Sequence, residues 1–146
     1  MLIRFSSQEN PFFWTPTATN TAGDLRIGSG SEIINAVKTR REMIVLTDTS
    51  VHSMQFIGPP FTFGITQLAS NTTVRGFNSA VAVGDAVFWM GYDRFYVYDG
   101  RVQVLPCSVR DHIFQDFNET QSDKVYAGVN SAFGEVFWFY PSATNA

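Results

Sequence analysis

Residues 84–106 read G-D-A-V-F-W-M-G-Y-D-R-F-Y-V-Y-D-G-R-V-Q-V-L-P and contain three short runs typical of β-strands. The run at 86–90 is apolar and long enough for one buried strand. The run at 95–98 is aromatic and β-branched, which suits a pleated, half-buried surface. Asp99-Gly100 is a hairpin dipeptide that favours a two-residue type I′ turn, and residues 101–105 then alternate between apolar and polar. The stretch therefore predicts a three-stranded antiparallel meander.

Similar patterns occur on both sides of this meander. Further strands are predicted at residues 2–5, 43–46, 51–57, 61–68, 125–129 and 135–140. One short helix is predicted near residues 108–117, because Val109, Ile113 and Phe117 recur every four residues and Ser108 with Asp111 forms a capping pair.

Residues 32–37 are compatible with two structures. Ser29 and Glu32 have the spacing of a capping box, which favours a turn or two of helix. The apolar residues that follow also suit a strand that leads into the next hairpin. Local sequence leaves both alternatives open.

The composition limits the class of protein. The chain has 146 residues, 16% of them charged and 15% aromatic, which is typical of a single folded domain rather than a disordered chain. A net charge of -3 is not that of a typical nucleic-acid-binding domain. No apolar window approaches the ~18 residues of a membrane span, and the first residues lack a signal-peptide pattern, so we expect no membrane association.

The hairpin pattern repeats along the chain. Residues 42–48 overlay residues 85–91 at an offset of 43, and residues 135–139 overlay residues 86–90 at an offset of 49. Periods of ~40–50 residues built from short strands are typical of propeller blades, although any three hairpins can be aligned to some degree. We predict an all-β fold: a single β-rich domain of antiparallel meanders in propeller-like blades, with about three units near residues 1–57, 58–106 and 107–146.

Several segments together resemble an internal part of a known family. They are W-T-P-T-A-T-N-T-A-G-D at 14–24, T-D at 47–48, M-Q-F-I-G-P-P at 54–60, F-W-M-G at 88–91, F-Y-V-Y-D-G-R-V-Q at 95–103 and F-W-F-Y-P-S at 137–142. This pattern resembles the propeller-bearing tail structural proteins of tailed bacteriophages, of the tail-tube, nozzle or DNA-stabilisation class.

The resemblance implies a β-propeller that is made in the bacterial host cytoplasm and built into a virion tail. There it would pack against copies of itself and against other tail proteins. Members of this class continue beyond both ends of the chain, so we expect an internal fragment, from a prophage or environmental DNA, with too few blades to close a ring of roughly four to eight. Open sheet edges invite pairing with another chain, and we expect a homo-oligomer or strand exchange.

Two groups of residues are candidate contact sites. Trp89, Tyr92, Tyr96 and Tyr98 could contact a partner or stack on sugar rings, which makes a carbohydrate-binding (lectin-like) propeller the alternative function. Aromatic residues at alternating strand positions also suit a core between blades. The only basic cluster, Lys38, Arg40 and Arg41, could face DNA in a tail channel or simply be solvated.

No residues are predicted to be catalytic, to bind a cofactor or to bind a metal, and we expect no enzyme activity. Cys107 with His112 lacks a motif that would supply an orienting group or an oxyanion hole. A single cysteine excludes an internal disulfide framework and a multi-cysteine zinc site. No carboxylate pair of the kind used by glycosidases stands out.

Overall fold

The chain folds into short antiparallel strands, as seen in a computed structural model that describes residues 1–144. Sheet I contains β1 (Leu2–Phe5) and β2 (Gly23–Arg26), and sheet IV contains β11 (Tyr126–Asn130) and β12 (Glu135–Phe139). Sheet II contains, in order, β3 (Ile33–Lys38), β4 (Met43–Thr47), β5 (Ser50–Gly58) and β6 (Thr62–Ser70). Sheet III contains β7 (Ala80–Val83), β8 (Ala86–Met90), β9 (Phe95–Tyr98) and β10 (Val102–Leu105). The prediction of an all-β fold is confirmed, and none of the four sheets closes on itself within residues 1–144.

Sheet III contains the predicted meander and one further strand, β7, at its edge. Its last hairpin pairs Tyr98 with Val102, so the loop covers residues 99–101 and is one residue longer than the two-residue turn predicted from Asp99-Gly100. Gly100 adopts a φ of 111°, a backbone conformation that residues with a Cβ atom rarely adopt. The predicted turn type was wrong, because Gly100 and not Asp99 supplies the positive φ.

The four sheets pack against one another in chain order. Between sheets I and II lie Ile3, Phe5, Leu25, Val45 and Met54. Between sheets II and III lie Ile44, Leu46, Val51, Val87, Trp89, Tyr96 and Tyr98. Between sheets III and IV lie Met90, Phe95, Val125 and Trp138. Successive residues of a strand point to opposite faces. Each middle sheet therefore packs against a neighbouring sheet on both faces, which explains the nearly continuous apolar runs of β4 and β8.

Trp89 is the largest side chain that is fully buried. Its ring stacks on that of Tyr96, its partner on the neighbouring strand, with ring centroids 5.3 Å apart. Its indole Nε1 donates a hydrogen bond to the Thr73 carbonyl at 3.2 Å. Trp89 therefore fills the space between sheets II and III without leaving its polar atom unpaired.

The first strands of sheets II, III and IV are neighbours, since β3 lies beside β7 and β7 lies beside β11. The Asn35 side chain donates to the Phe77 carbonyl at 2.7 Å, and the Ala127 amide donates to the Asn78 carbonyl at 2.7 Å. At the other side of the stack, β2 lies beside β6. The segment before β7 thus holds three sheets together through its backbone carbonyls.

The helical segments differ from the sequence predictions. Helix α1 spans Arg110–Gln115, shorter than the predicted 108–117, and its N-cap is Val109 with no side-chain cap, so the predicted Ser108 cap was wrong. Two short 3₁₀ turns that meet at a kink at Gln121 occupy Glu119–Lys124. Of residues 32–37, all but Glu32 belong to strand β3, because they lie in the ladder with β4. The predicted unit boundary at 57/58 falls within β5, before its last residue Gly58, and would divide the paired strands β5 and β6.

We expect the Trp89→Ala variant to be destabilised by about 3–5 kcal/mol, because it removes a fully buried aromatic side chain and leaves a cavity. The matched control is Phe12→Ala, since the Phe12 side chain is 89% exposed and its removal should change the free energy of unfolding by less than about 1 kcal/mol. Urea denaturation followed by circular dichroism at one protein concentration measures both. Equal effects of the two substitutions would contradict the assigned core.

Candidate functional site

An apolar groove runs along the outer edge of β1, and we call it the β1 groove. It has a volume of about 710 Å³. Its apolar lining includes Ile3, Phe5, Trp14, Met43, Phe56 and Phe63. Sheet I has two strands and lies beside β6, whereas sheet II has four strands. The groove is therefore the part of the sheet II face that sheet I leaves uncovered.

The predicted basic cluster lies at the rim of this groove, which Lys38, Arg40 and Arg41 all line. The turn between β3 and β4 positions them, since the Thr39 hydroxyl donates to the Glu42 carbonyl at 2.9 Å and accepts from the Glu42 amide at 3.1 Å. The Arg41 side chain is 82% exposed, with its Nε 3.5 Å from Asp85 Oδ2. The cluster thus gives a cationic border to an apolar floor.

Glu42 is the centre of a polar cluster next to the groove. Its carboxylate accepts hydrogen bonds from the Tyr98 hydroxyl at 2.7 Å, from Gln55 Nε2 at 3.0 Å and from the Ser53 hydroxyl. A second recess of about 540 Å³ opens beside it, lined by Arg41, Glu42, Gln55, Asp85 and Tyr98 among others. The hydrogen bond from the Tyr98 hydroxyl to the Glu42 carboxylate therefore joins sheet III to the residue just before β4 of sheet II.

Burial and hydrogen bonding shift the pKa values of Glu42 and Tyr98 in opposite directions. Burial acts to raise the pKa of Glu42, but the bonds from Ser53, Gln55 and Tyr98 outweigh it and hold that pKa below its usual value. Burial, and then the hydrogen bond to Glu42, raise the pKa of Tyr98 to about 12. Glu42 is therefore an anion and Tyr98 a neutral donor at neutral pH.

The predicted aromatic set does not form one exposed surface. Trp89, Tyr96 and Tyr98 are buried between sheets II and III, whereas Tyr92 is 52% exposed. The Arg75 guanidinium lies 4.6 Å from the centroid of the Tyr92 ring. Tyr92 is thus the member of this set whose ring is accessible for stacking on a sugar or a partner.

Arg75 is an almost completely buried charged residue that the sequence did not single out. Its guanidinium lies between the rings of Tyr92 and Phe117 and pairs through both terminal nitrogens with Glu119. It also donates to the Tyr92 carbonyl at 2.9 Å. Arg75 therefore connects sheet III to the segment that precedes sheet IV. No local pattern reveals this role, because Arg75 and Glu119 are 44 residues apart.

A network of hydroxyl groups surrounds the buried ring of His52. Its Nε2 lies 2.9 Å from the Ser50 hydroxyl and 3.1 Å from the Ser29 hydroxyl, and Thr47 extends the network at 2.7 Å from Ser50. Burial lowers the pKa of His52 and favours the neutral ring. No carboxylate hydrogen-bonds to this ring within residues 1–144, so the network joins Ser29 to β5 without the third member of a catalytic triad.

Metal-binding clusters and long apolar helices are both absent from the described part of the chain. Among residues 1–144, no group of three or more His, Cys, Asp or Glu side chains is placed to hold a metal ion. In the same range, no helix is long and apolar enough to span a bilayer.

No family model matches the chain, and no curated protein matches it significantly.

We expect Tyr98→Phe to destabilise the protein by about 1–2 kcal/mol, because it removes a hydrogen bond to a carboxylate. It should also raise the pKa of Glu42 towards its ordinary value. A lowered pKa stabilises the fold above the unfolded-state pKa, and that contribution is lost as the pH falls through the folded-state pKa. The variant should therefore show a smaller acid-induced loss of stability than the wild type, and this loss should be complete at a higher pH.

An NMR titration of the Glu42 carboxyl group and unfolding experiments between about pH 3 and 6 measure these effects. Tyr92→Phe is the control, since the Tyr92 ring is at the surface and its loss of a hydroxyl should leave the Glu42 titration unchanged. An identical Glu42 titration in wild type and Tyr98→Phe would contradict the assigned hydrogen bond.

Proposed function

We propose that this protein is a structural assembly module that acts by binding other protein chains, including copies of itself. The observation that carries this proposal is the number of large aromatic side chains at the surface. They include Phe13, Phe56, Phe61, Phe133 and Phe139, each at least 60% exposed. Single exposed apolar residues are common, but extended apolar patches mark sites of protein interaction.

Two of these exposed rings, Phe56 and Phe139, contact other aromatic rings. At the β1 groove, Phe56 contacts Phe63 at 5.8 Å between centroids, and Phe63 contacts Phe5 at 4.9 Å. On sheet IV, Phe137 contacts Phe139 at 5.3 Å. Aromatic residues are enriched in protein interfaces, and charged residues are depleted from interface cores. Two aromatic surfaces at opposite ends of the stack of sheets suit a protein that joins subunits.

We further propose that sheets II and III are consecutive blades of a β-propeller. Both are antiparallel four-stranded meanders that share an apolar interface. The neighbouring first strands β3, β7 and β11 support this interpretation, because the first strands of propeller blades surround a common axis.

The proposed location is the tail of a bacteriophage, with other tail proteins as partners. This part of the proposal rests on the resemblance of the sequence segments to tail structural proteins. In such a tail, Lys38, Arg40 and Arg41 would be the residues available to DNA. Genes for tail proteins on either side of this reading frame would support the tail assignment, and flanking genes for sugar uptake and breakdown would overturn it.

We expect the purified protein to self-associate, because the aromatic surfaces at the β1 groove and on sheet IV are exposed in a single chain. Size-exclusion chromatography with light scattering, over a concentration series, should give a mass above the 16.3 kDa of one chain. Raising the salt concentration should not dissociate the complex if apolar contacts dominate. A mass of one chain at every concentration would contradict self-assembly.

A further inference from the structure

We propose that sheets I and IV are two halves of one sheet that is completed between two copies of the chain. In this arrangement β12 of one copy pairs with β1 of the second copy and forms the order β11-β12-β1-β2. The inference rests on the assembly function proposed above and specifies its surfaces. The partner is thus a second copy of this chain.

The strands next to sheets I and IV indicate which half of a four-stranded sheet each of these two sheets represents. In sheet II the order runs from β3 to β6, and in sheet III it runs from β7 to β10. Strand β11 lies beside β7, the first strand of its sheet, whereas β2 lies beside β6, the last strand of its sheet. Sheet IV therefore occupies the first and second strand positions, and sheet I occupies the third and fourth positions.

The two edges that would meet are both open within residues 1–144. There β1 pairs with β2 alone, and β12 pairs with β11 alone. The strands have similar lengths, with four residues in β1 and five in β12. An edge strand presents unpaired N–H and C=O groups, and pairing with an extended segment of another chain satisfies them. Pairing β12 with β1 would satisfy both edges in one ladder.

The β1 groove provides the space for the incoming half-sheet. It lies along β1, where a third strand would be added, and it exposes the face of sheet II near Met43 and Phe56. The outward face of sheet IV carries Tyr126, Phe137 and Phe139, which are 55%, 38% and 66% exposed. These rings match the apolar floor of the groove in chemical character.

The charges at the groove and on the incoming face are also complementary. The charged residues that line the groove are four cations (Arg4, Lys38, Arg40 and Arg41) and two anions (Glu9 and Glu42), so its net charge is positive. Glu135 lies at the start of β12 and is exposed on the same face as Phe137 and Phe139. The rim would therefore attract the acidic end of the strand, which favours a second copy over a basic partner.

A second, smaller groove lies beside β12 and would receive the other half-sheet. It has a volume of about 280 Å³, and Leu105, Ile113, Val136 and Trp138 are among its lining residues. The face of sheet I that points away from sheet II carries Leu2, which is 47% exposed. Leu2 of the second copy is placed to enter this groove. Each half-sheet would thus cover apolar surface on the other copy.

This pairing closes with two copies. Each copy contributes two complete sheets, II and III, and each of the two junctions adds one composite sheet. A dimer with both junctions formed would therefore have six sheets, within the range of roughly four to eight blades found in closed propellers. A head-to-tail contact that closes after two copies gives a two-fold symmetric ring.

Two variants test the two surfaces separately. The groove variant combines Arg41→Glu with Phe56→Glu, and the strand variant is Phe139→Lys; all three side chains are mostly exposed, so the monomer should keep its fold. The control is Phe12→Lys, since Phe12 is 89% exposed and does not line the groove. Circular dichroism and melting temperature check the fold of every variant.

Sedimentation velocity gives the mass in each case. We expect the wild type and the control to be dimers of twice 16.3 kDa, and each surface variant alone to raise the dissociation constant by about ten-fold or more. An equimolar mixture of the two variants should recover the dimer. In that mixed dimer one junction is wild type, and the other brings the positive charge of Phe139→Lys against the negative charges of Arg41→Glu and Phe56→Glu.

The other outcomes separate the possible failures. Dimers of both surface variants at wild-type strength would overturn the strand-exchange interface but leave self-assembly standing. Monomeric variants that remain monomeric when mixed would overturn the head-to-tail pairing, because the mixture restores one wild-type junction and brings opposite charges together at the other. Open chains longer than a dimer would overturn the closed ring. A monomeric wild type would overturn both this inference and the self-assembly on which it rests.

Discussion

The structure depends on the need to cover both faces of two four-stranded sheets. Sheet II has Val45 on one face and Ile44 with Leu46 on the other, and each face meets a different neighbouring sheet. Sheet III is in the same position, with Trp89 directed to sheet II and Met90 directed to sheet IV. Because both faces of these sheets are largely apolar, stacking the sheets in series buries most of that surface. The order of the sheets then follows from the order of the sequence.

The same requirement explains why the surface is rich in aromatic residues. The two terminal sheets have two strands each, so they cover only half of the surface that a four-stranded neighbour presents. The uncovered half of sheet II is the β1 groove, which Phe56 and Phe63 line. The outward face of sheet IV has no neighbour in the described chain and carries Phe139. Assembly with another chain is a direct way to bury both surfaces.

Sequence alone predicted the elements whose signals are local. The apolar run at 86–90 and the Asp99-Gly100 dipeptide placed three of the strands of sheet III within a residue of their observed bounds. Residues 32–37 were ambiguous because pairing with β4, rather than any local feature, makes them a strand. The bond between Tyr98 and Glu42 spans 56 residues. The sequence placed Lys38, Arg40 and Arg41 in one cluster, but only the packing of sheet I on sheet II puts an apolar groove beside them.

The most direct test of the account is hydrogen–deuterium exchange of the backbone amides at low and high protein concentration. If half-sheets pair between copies, the amides of β1 and β12 should exchange more slowly at high concentration. The amides of β4 and β8, which are internal to their sheets, should exchange equally slowly at both concentrations. Exchange in β1 and β12 that is fast and independent of concentration would contradict the account.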